Sequence, residues 1–232
     1  MNSGLEIIVA EGITKTYAYN GLIVPALNGI DLKITSGEFT AIVGPSGSGK
    51  TTFLNIISGL DLPTEGKVWL KGKPLSAMSG RELSDFRRDN IGFIFQSYNL
   101  IPVLTVEENI EYVMLLQGIA KEERRQRISS ILKEIGMSEY AKRTPPRLSG
   151  GQQQRVAIAR AMVSQPALIL ADEPTANLDS KTGAELLEIM HDLNHKTGMT
   201  FIFSTHDRMV MDRADRLITL KDGRLAGDEK RT

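Results

Sequence analysis

The octapeptide Gly44-Pro45-Ser46-Gly47-Ser48-Gly49-Lys50-Thr51 has the residue types and the spacing of a loop that holds phosphate. Its glycines let backbone N–H groups turn inward around phosphate oxygens, and a helix starting at its end adds a dipole that favours anions. In a G-x-x-x-x-G-K-[ST] loop the lysine, here Lys50, reaches the β- and γ-phosphates, and the hydroxyl, here Thr51, binds magnesium. Asp172-Glu173 supplies the complementary chemistry: a carboxylate at a strand end can hold magnesium while its neighbour orients an attacking water. A second glycine-rich helix start, Leu148-Ser149-Gly150-Gly151-Gln152, places Ser149 99 residues after Lys50. Its serine cap and exposed N–H donors suit a γ-phosphate, and they equally suit a plain helix cap. His191 and His195 lie four apart on one helix. That helix buries Leu186, Ile189, Met190 and Leu193, which leaves both imidazoles toward flank or solvent, without the carboxylate spacing of a zinc site.

These groups need a scaffold, and four short apolar runs provide it. Phe39–Val43 leads into the phosphate loop, Ile91–Phe95 ends at Gln96, Ala167–Ala171 ends at Asp172-Glu173, and Thr200–Phe203 ends at Ser204-Thr205-His206. Continuous runs of this length read as parallel strands buried on both faces. Ligands in such sheets sit beyond the carboxyl ends of the strands, so the four polar termini belong to one active site. A helix over Phe53–Ser58 follows the loop. Between Tyr98 and Val163 the pattern turns helical: Ile128, Ile131, Leu132 and Ile135 share one face, and a further helical run begins at Val156. The cluster Arg124-Arg125-Gln126-Arg127 reads as the solvated face of the first of these helices. Another helix is expected over Lys181–Lys196. Leu5–Val9, Leu27–Ile34 and Lys67–Leu70 alternate and are bounded by turns, as in a small antiparallel layer, and Asp222-Gly223 marks a closing hairpin.

Composition narrows the class. The chain has 232 residues, 28 Lys+Arg against 28 Asp+Glu, and no cysteine. The length suffices for a substantial core, and the absence of cysteine removes disulfide scaffolds, zinc ribbons, iron–sulfur sites and thiol catalysis. Balanced charge argues against nucleic-acid binding by bulk electrostatics. No apolar run approaches the ~18 residues of a membrane helix, and Met1–Gly12 lacks the basic start and apolar stretch of a secretory leader. The expectation is a soluble, intracellular α/β chain.

Taken in order, Gly44–Thr51, Gln96, Leu148–Gln152, Asp172-Glu173 and His206 resemble the ATP-binding cassette ATPases, over about residues 17 to 207. The resemblance implies a P-loop NTPase fold: a RecA-like parallel core with an antiparallel β layer, about residues 1–96 and 164–232, and a helical lobe, about 97–163, in one domain. It implies ATP and Mg2+ as ligands. Gly44, Pro45, Ser46, Gly47, Ser48, Gly49, Lys50, Thr51 and Thr52 would contact the nucleotide. Tyr17 would stack on adenine. Ser149, Gly150, Gly151, Gln152 and Asp179 would face the nucleotide of another subunit. Thr51, Gln96 and Asp172 would hold the metal. Glu173, His206, Gln96 and Lys50 would carry catalysis. Where the family spells its dimer-contact loop Ser/Gly-Ala-Leu-Asp, this chain has Ala176-Asn177-Leu178-Asp179.

Finer spelling resembles one branch, the macrolide-exporter and lipoprotein-release ATPases, in residues 93–110, in Leu148–Arg155 and in Ile169–Pro174. This implies an ATP-hydrolysing motor that pairs with a second copy of itself around two Mg-ATP and drives an integral membrane permease from the inner, cytoplasmic face. The competing expectation is a mechanotransmission or signalling subunit, like the cell-division ATPase, that moves no substrate. A chromosome-maintenance ATPase needs a long coiled coil between Lys50 and Ser149, for which there is no room. Twin-cassette translation factors need two cassettes, and GTPases need a guanine-selecting Asn-Lys-x-Asp that is absent.

Overall fold

A computed structural model describes residues 5–19 and 21–231. The strands are β1 (Glu6–Tyr19), β2 (Leu22–Thr35), β3 (Phe39–Val43), β4 (Glu65–Leu70), β5 (Lys73–Pro74), β6 (Ile91–Ile94), β7 (Leu168–Asp172), β8 (Thr200–Thr205), β9 (Arg216–Lys221) and β10 (Arg224–Lys230). The α-helices are α1 (Lys50–Ile57), α2 (Gly80–Asn90), α3 (Val106–Leu116), α4 (Lys121–Glu134), α5 (Gly150–Met162), α6 (Ser180–Thr197) and α7 (Arg208–Arg213).

Two sheets form. The larger has the order β10-β9-β3-β8-β7-β6, with every pair parallel except the β9–β10 hairpin at its edge. All five residues of β3 and all six of β8 are buried, as both-face-covered strands require. Alternation then sorts their side chains. Ile42, Leu170 and Ile202 pack with Phe53 and Ile57 of α1 and with the second sheet. Phe39, Ala41, Ile169, Phe201 and Phe203 pack against α5 and α6 through Ile158, Leu186 and Met190. The second sheet, β2-β1-β4-β5, is antiparallel. A third apolar cluster joins α3, α4 and α5 through Ile110, Ile131 and Val156, between β6 and β7 in the chain.

The α/β core and antiparallel layer match the expectation, but several boundaries move. β1 and β2 run 14 residues each, well beyond Leu5–Val9 and Leu27–Ile34. Register shifts along their ladder break the strict alternation from which strands are read. The helix placed at Val156 begins at Gly150, because Ser149 and Gln152 close a capping box there. The helix after the phosphate loop starts at Lys50 rather than Phe53. Arg124 is not a solvated charge: it pairs with Glu111 at 2.8 Å and donates to the Ile119 carbonyl, tying α4 to α3. Among the described residues no helix is long and apolar enough to cross a membrane.

Candidate active site

β3 delivers the chain into the loop Gly44–Gly49, which is pressed against its neighbours at two glycines. A Cβ on Gly44 would sit 2.2 Å from the Leu220 carbonyl oxygen, and one on Gly49 would meet the Ala26 oxygen at 2.7 Å. Only glycine lets the loop pass between β9 and β2. Gly49 is in the left-handed region at φ 100° and caps α1 without a side-chain acceptor, and no acid lies in the helix's first turn. The N–H groups at the start of α1 therefore remain available to an anion. Lys50 is nearly buried and folds back so that its ammonium donates to the carbonyls of Gly44 at 2.8 Å and Pro45 at 3.1 Å. The Ser48 hydroxyl is buried without a partner in the same loop.

The ends of β6, β7 and β8 complete a cleft of about 620 Å³ lined by Pro45, Ser46, Gly47, Lys50, Thr51, Thr52, Gln96, Asp172, Glu173 and His206. The parallel register sets Asp172 beside Ser204, so each polar terminus emerges at one sheet edge. The Thr51 hydroxyl lies 3.5 and 3.4 Å from the two Asp172 oxygens, with Gln96 in the same wall. One hydroxyl, one carboxylate and one amide are hard oxygen donors that leave most coordination positions to water and phosphate. That donor set fits Mg2+, which rarely takes an all-protein cage. Among the described residues no three His, Asp or Glu gather into a metal cluster.

Glu173 has a left-handed φ of 46°, and its N–H is fixed by the Ser204 carbonyl at 2.9 Å. Its carboxylate accepts from Thr205 Oγ1 at 2.9 Å and lies 2.6 Å from His206 Nδ1. Thr205 is a holding residue that the sequence did not reveal. A threonine at the end of a buried strand carries no chemical signal of its own.

The second glycine-rich helix start opens elsewhere. Ser149, Gly150, Gly151, Gln152, Asn177 and Asp179 line a separate cleft of about 350 Å³ that shares no residue with the first. The Ser149 hydroxyl and the Gln152 amide are engaged in the capping box of α5. Gly151 is closed in by Thr182, whose Cγ2 lies 2.5 Å from a would-be Cβ. Asp179 caps α6. The Thr182 and Lys181 N–H groups and the Thr182 hydroxyl bond its carboxylate, and the Thr182 N–H above all holds it below the usual carboxylate range. Asn177 joins the clefts by donating to the Gln96 carbonyl at 2.9 Å.

Tyr17 stands outside the wall of the first cleft, half-exposed on β1. Its hydroxyl donates to Asp61 at 2.8 Å, and the Lys15 ammonium sits 4.9 Å from its ring centroid. Burial first, then the hydrogen bond to Asp61, raise its pKa. His191 and His195 face each other with their Nε2 atoms 3.1 Å apart, and His191 packs edge-on against Phe39.

The family model described as ABC transporter matches residues 27–176. An ABC transporter ATP-binding protein of Thermotoga maritima is 45% identical over 94% of this chain and 93% of its own length. The macrolide export ATP-binding/permease protein MacB of Brucella melitensis is 45% identical over 97% of this chain, which corresponds to 35% of that longer protein. A dimeric, post-hydrolysis structure of the ATP-binding cassette MJ0796 bound to ADP and Pi superposes with a TM-score of 0.88 at 45% identity, covering 96% of this chain and 98% of that one. The relative of that name from Methanocaldococcus jannaschii is 46% identical over 97% of both chains.

Proposed function

The chain belongs to the ABC transporter family as an ATP-hydrolysing, ATP-binding subunit, and we propose that two copies close around two ATP molecules to drive a membrane permease of the macrolide-export or lipoprotein-release type. One observation carries the pairing: the glycine-rich start of α5 and the phosphate loop line two clefts with no residue in common. Two anion-binding helix starts on one chain cannot share one phosphate, whereas those of two chains can. The dimeric MJ0796 cassette supports this reading.

In the reading proposed here, Lys50 leaves the carbonyls of Gly44 and Pro45 for the β- and γ-phosphates, while the N–H groups at the start of α1 take the remaining oxygens. Tyr17, next to Thr52, offers its ring to the adenine. Thr51, Asp172 and Gln96 would hold Mg2+, which when bound neutralises charge on the phosphates. Glu173 orients the attacking water and accepts its proton, and Thr205 and His206 fix the carboxylate for that task. His206 then stands beside the γ-phosphate.

The 45% identity to MacB, over 35% of that protein's length, supports the permease type. Attachment to the inner face of the cell membrane would come through that permease. Affinity purification of the chain from detergent-solubilised membranes tests the reading. Co-recovery of a permease with a large domain outside the membrane is expected. Recovery of an importer-type permease instead would overturn the branch.

A further inference from the structure

Gln154 sits in the second turn of α5 and is wholly buried. Its Nε2 donates to the Pro174 carbonyl at 2.7 Å, while its Oε1 is buried without a partner. A buried amide with an orphaned acceptor is destabilising on its own. Packing alone would be served better by methionine, so the amide's remaining value lies in the group it grips. That group is the Pro174 carbonyl, in the peptide one residue beyond Glu173. Glu173 is itself held in the left-handed region at φ 46°, and the proline behind it bars the ordinary helical conformation. The turn is fixed at its other side by the bond from Glu173 N–H to Ser204. α5 also carries Gly150 and Gly151 at its first positions. One rigid helix thus presents the glycines to the outside and holds the Glu173 turn a single turn further in, about 6 Å along its axis.

We propose that Gln154 is a positioning residue for Glu173, which converts a tilt of α5 on engaging a phosphate into a displacement of the carboxylate in the same chain. This rests on the reading that Glu173 activates water. Gln154 touches no substrate. It acts through the Pro174 carbonyl and sets where the carboxylate stands when α5 is seated. A misplacement of about 1 Å in such a group costs about a hundredfold in rate.

The full chain and its Gln154→Met, Gln154→Glu and Glu173→Gln variants test this by single-turnover ATP hydrolysis, binding of a fluorescent ATP analogue and thermal melting. Gln154→Met removes both the bond and the orphaned acceptor. It is expected to bind nucleotide within twofold of the parent and to melt within about 5 °C, near 1–2 kcal/mol for this size, while hydrolysing ten- to a hundredfold more slowly. Gln154→Glu distinguishes a grip from a filler. Ionised, Glu at this position cannot donate to Pro174. Protonated, it can, and burial raises its pKa. Its rate relative to the parent is therefore expected to climb as the pH falls from 8.5 to 6.5, which a purely structural defect would not produce. A Gln154→Met protein hydrolysing within twofold of the parent, with Glu173→Gln at least a hundredfold down, would overturn the positioning role and leave the catalytic reading standing. Loss of nucleotide affinity or of melting temperature in step with the rate would overturn it as well. If Glu173→Gln itself turned over normally, the reading beneath would fail instead.

Discussion

His206 Nδ1 lies 2.6 Å from Glu173 Oε1, although the His206 side chain is 75% exposed and that of Glu173 only 17%. A carboxylate oxygen accepts hydrogen bonds, so Nδ1–H is the donor in this contact and the second ring nitrogen, Nε2, is left for another partner. His206 therefore orients Glu173 in the free chain.

From this contact follows the first prediction. Glu173→Gln should bind ATP and turn over at least about a hundredfold more slowly, the lower end of a general base's contribution. His206→Ala, which frees one oxygen of the carboxylate, should lose about ten- to a hundredfold in rate, with the Kd for ATP little changed. Single-turnover hydrolysis beside equilibrium binding measures both. Near-parental rates in Glu173→Gln would move the base to another residue.

Lys50 is the second test. Its ammonium now bonds two carbonyls of its own loop, which presets it where phosphate oxygens would arrive. Lys50→Ala should weaken ATP about tenfold to more than a hundredfold, as loss of a charge-assisted contact does. The fold should persist, because only two exchangeable bonds within one loop disappear. Unaltered affinity in a protein with a parental circular dichroism spectrum would defeat the phosphate-loop assignment.

Chemistry concentrated in a few adjacent residues was legible in the sequence, while contacts made by folding were not. Gly44–Thr51 and Asp172-Glu173 are contiguous because a loop or a strand end must present them together. The bonds from Asn177 to Gln96 and from Thr205 to Glu173 join residues 81 and 32 apart, and they exist only because β7 lies between β6 and β8. α2 escaped for a different reason: Leu83 is its one buried residue, so it shows no apolar stripe, and only its Ser79–Glu82 capping box marks it. The reach of β1 and β2 was obscured by their register shifts.

Arg216 provides a stability test away from the nucleotide. It is nearly buried and donates to both Asp228 oxygens at 2.7 Å, to Glu38 at 2.8 Å and to the Lys33 carbonyl at 2.8 Å, locking β9 and β10 to the second sheet. Arg216→Met should cost about 3 kcal/mol. That is the lower end for breaking a buried pair, since Asp228 is a third exposed and screened. The hydrogen bonds from Arg216 hold Asp228 below its ordinary value of 3.8, with partial burial opposing them. A depressed carboxyl contributes its stability fully above that value and loses it as the pH falls through the folded pKa. Chemical denaturation at pH 7 and at pH 3 should show the gap between parent and variant narrowing in acid. A gap that widened in acid would contradict the network.

Last, the pairing of chains can be separated from nucleotide binding. ATP bound at the phosphate loop of one chain would present its γ-phosphate to the open N–H groups of Gly150 and Gly151 on another. Ser149 Oγ and Gln152 Oε1 only accept in the cap of α5, so the Ser149 hydroxyl and the Gln152 Nε2 remain as donors beside the glycine amides. Hydrolysis would remove the shared charge and release the pair, which makes a motor stroke from a change in local electrostatics. Glu173→Gln should therefore dimerise when saturated with ATP and magnesium, as measured by light scattering. Adding Ser149→Arg or Gly151→Asp should keep it monomeric. Both changes lie in the second cleft, away from Lys50, so each monomer should still bind ATP with parental affinity. A Glu173→Gln protein that stays monomeric at saturating ATP, alone and with its permease present, would refute the paired arrangement. A Gly151→Asp protein that still dimerises would show that the pair forms through some other face.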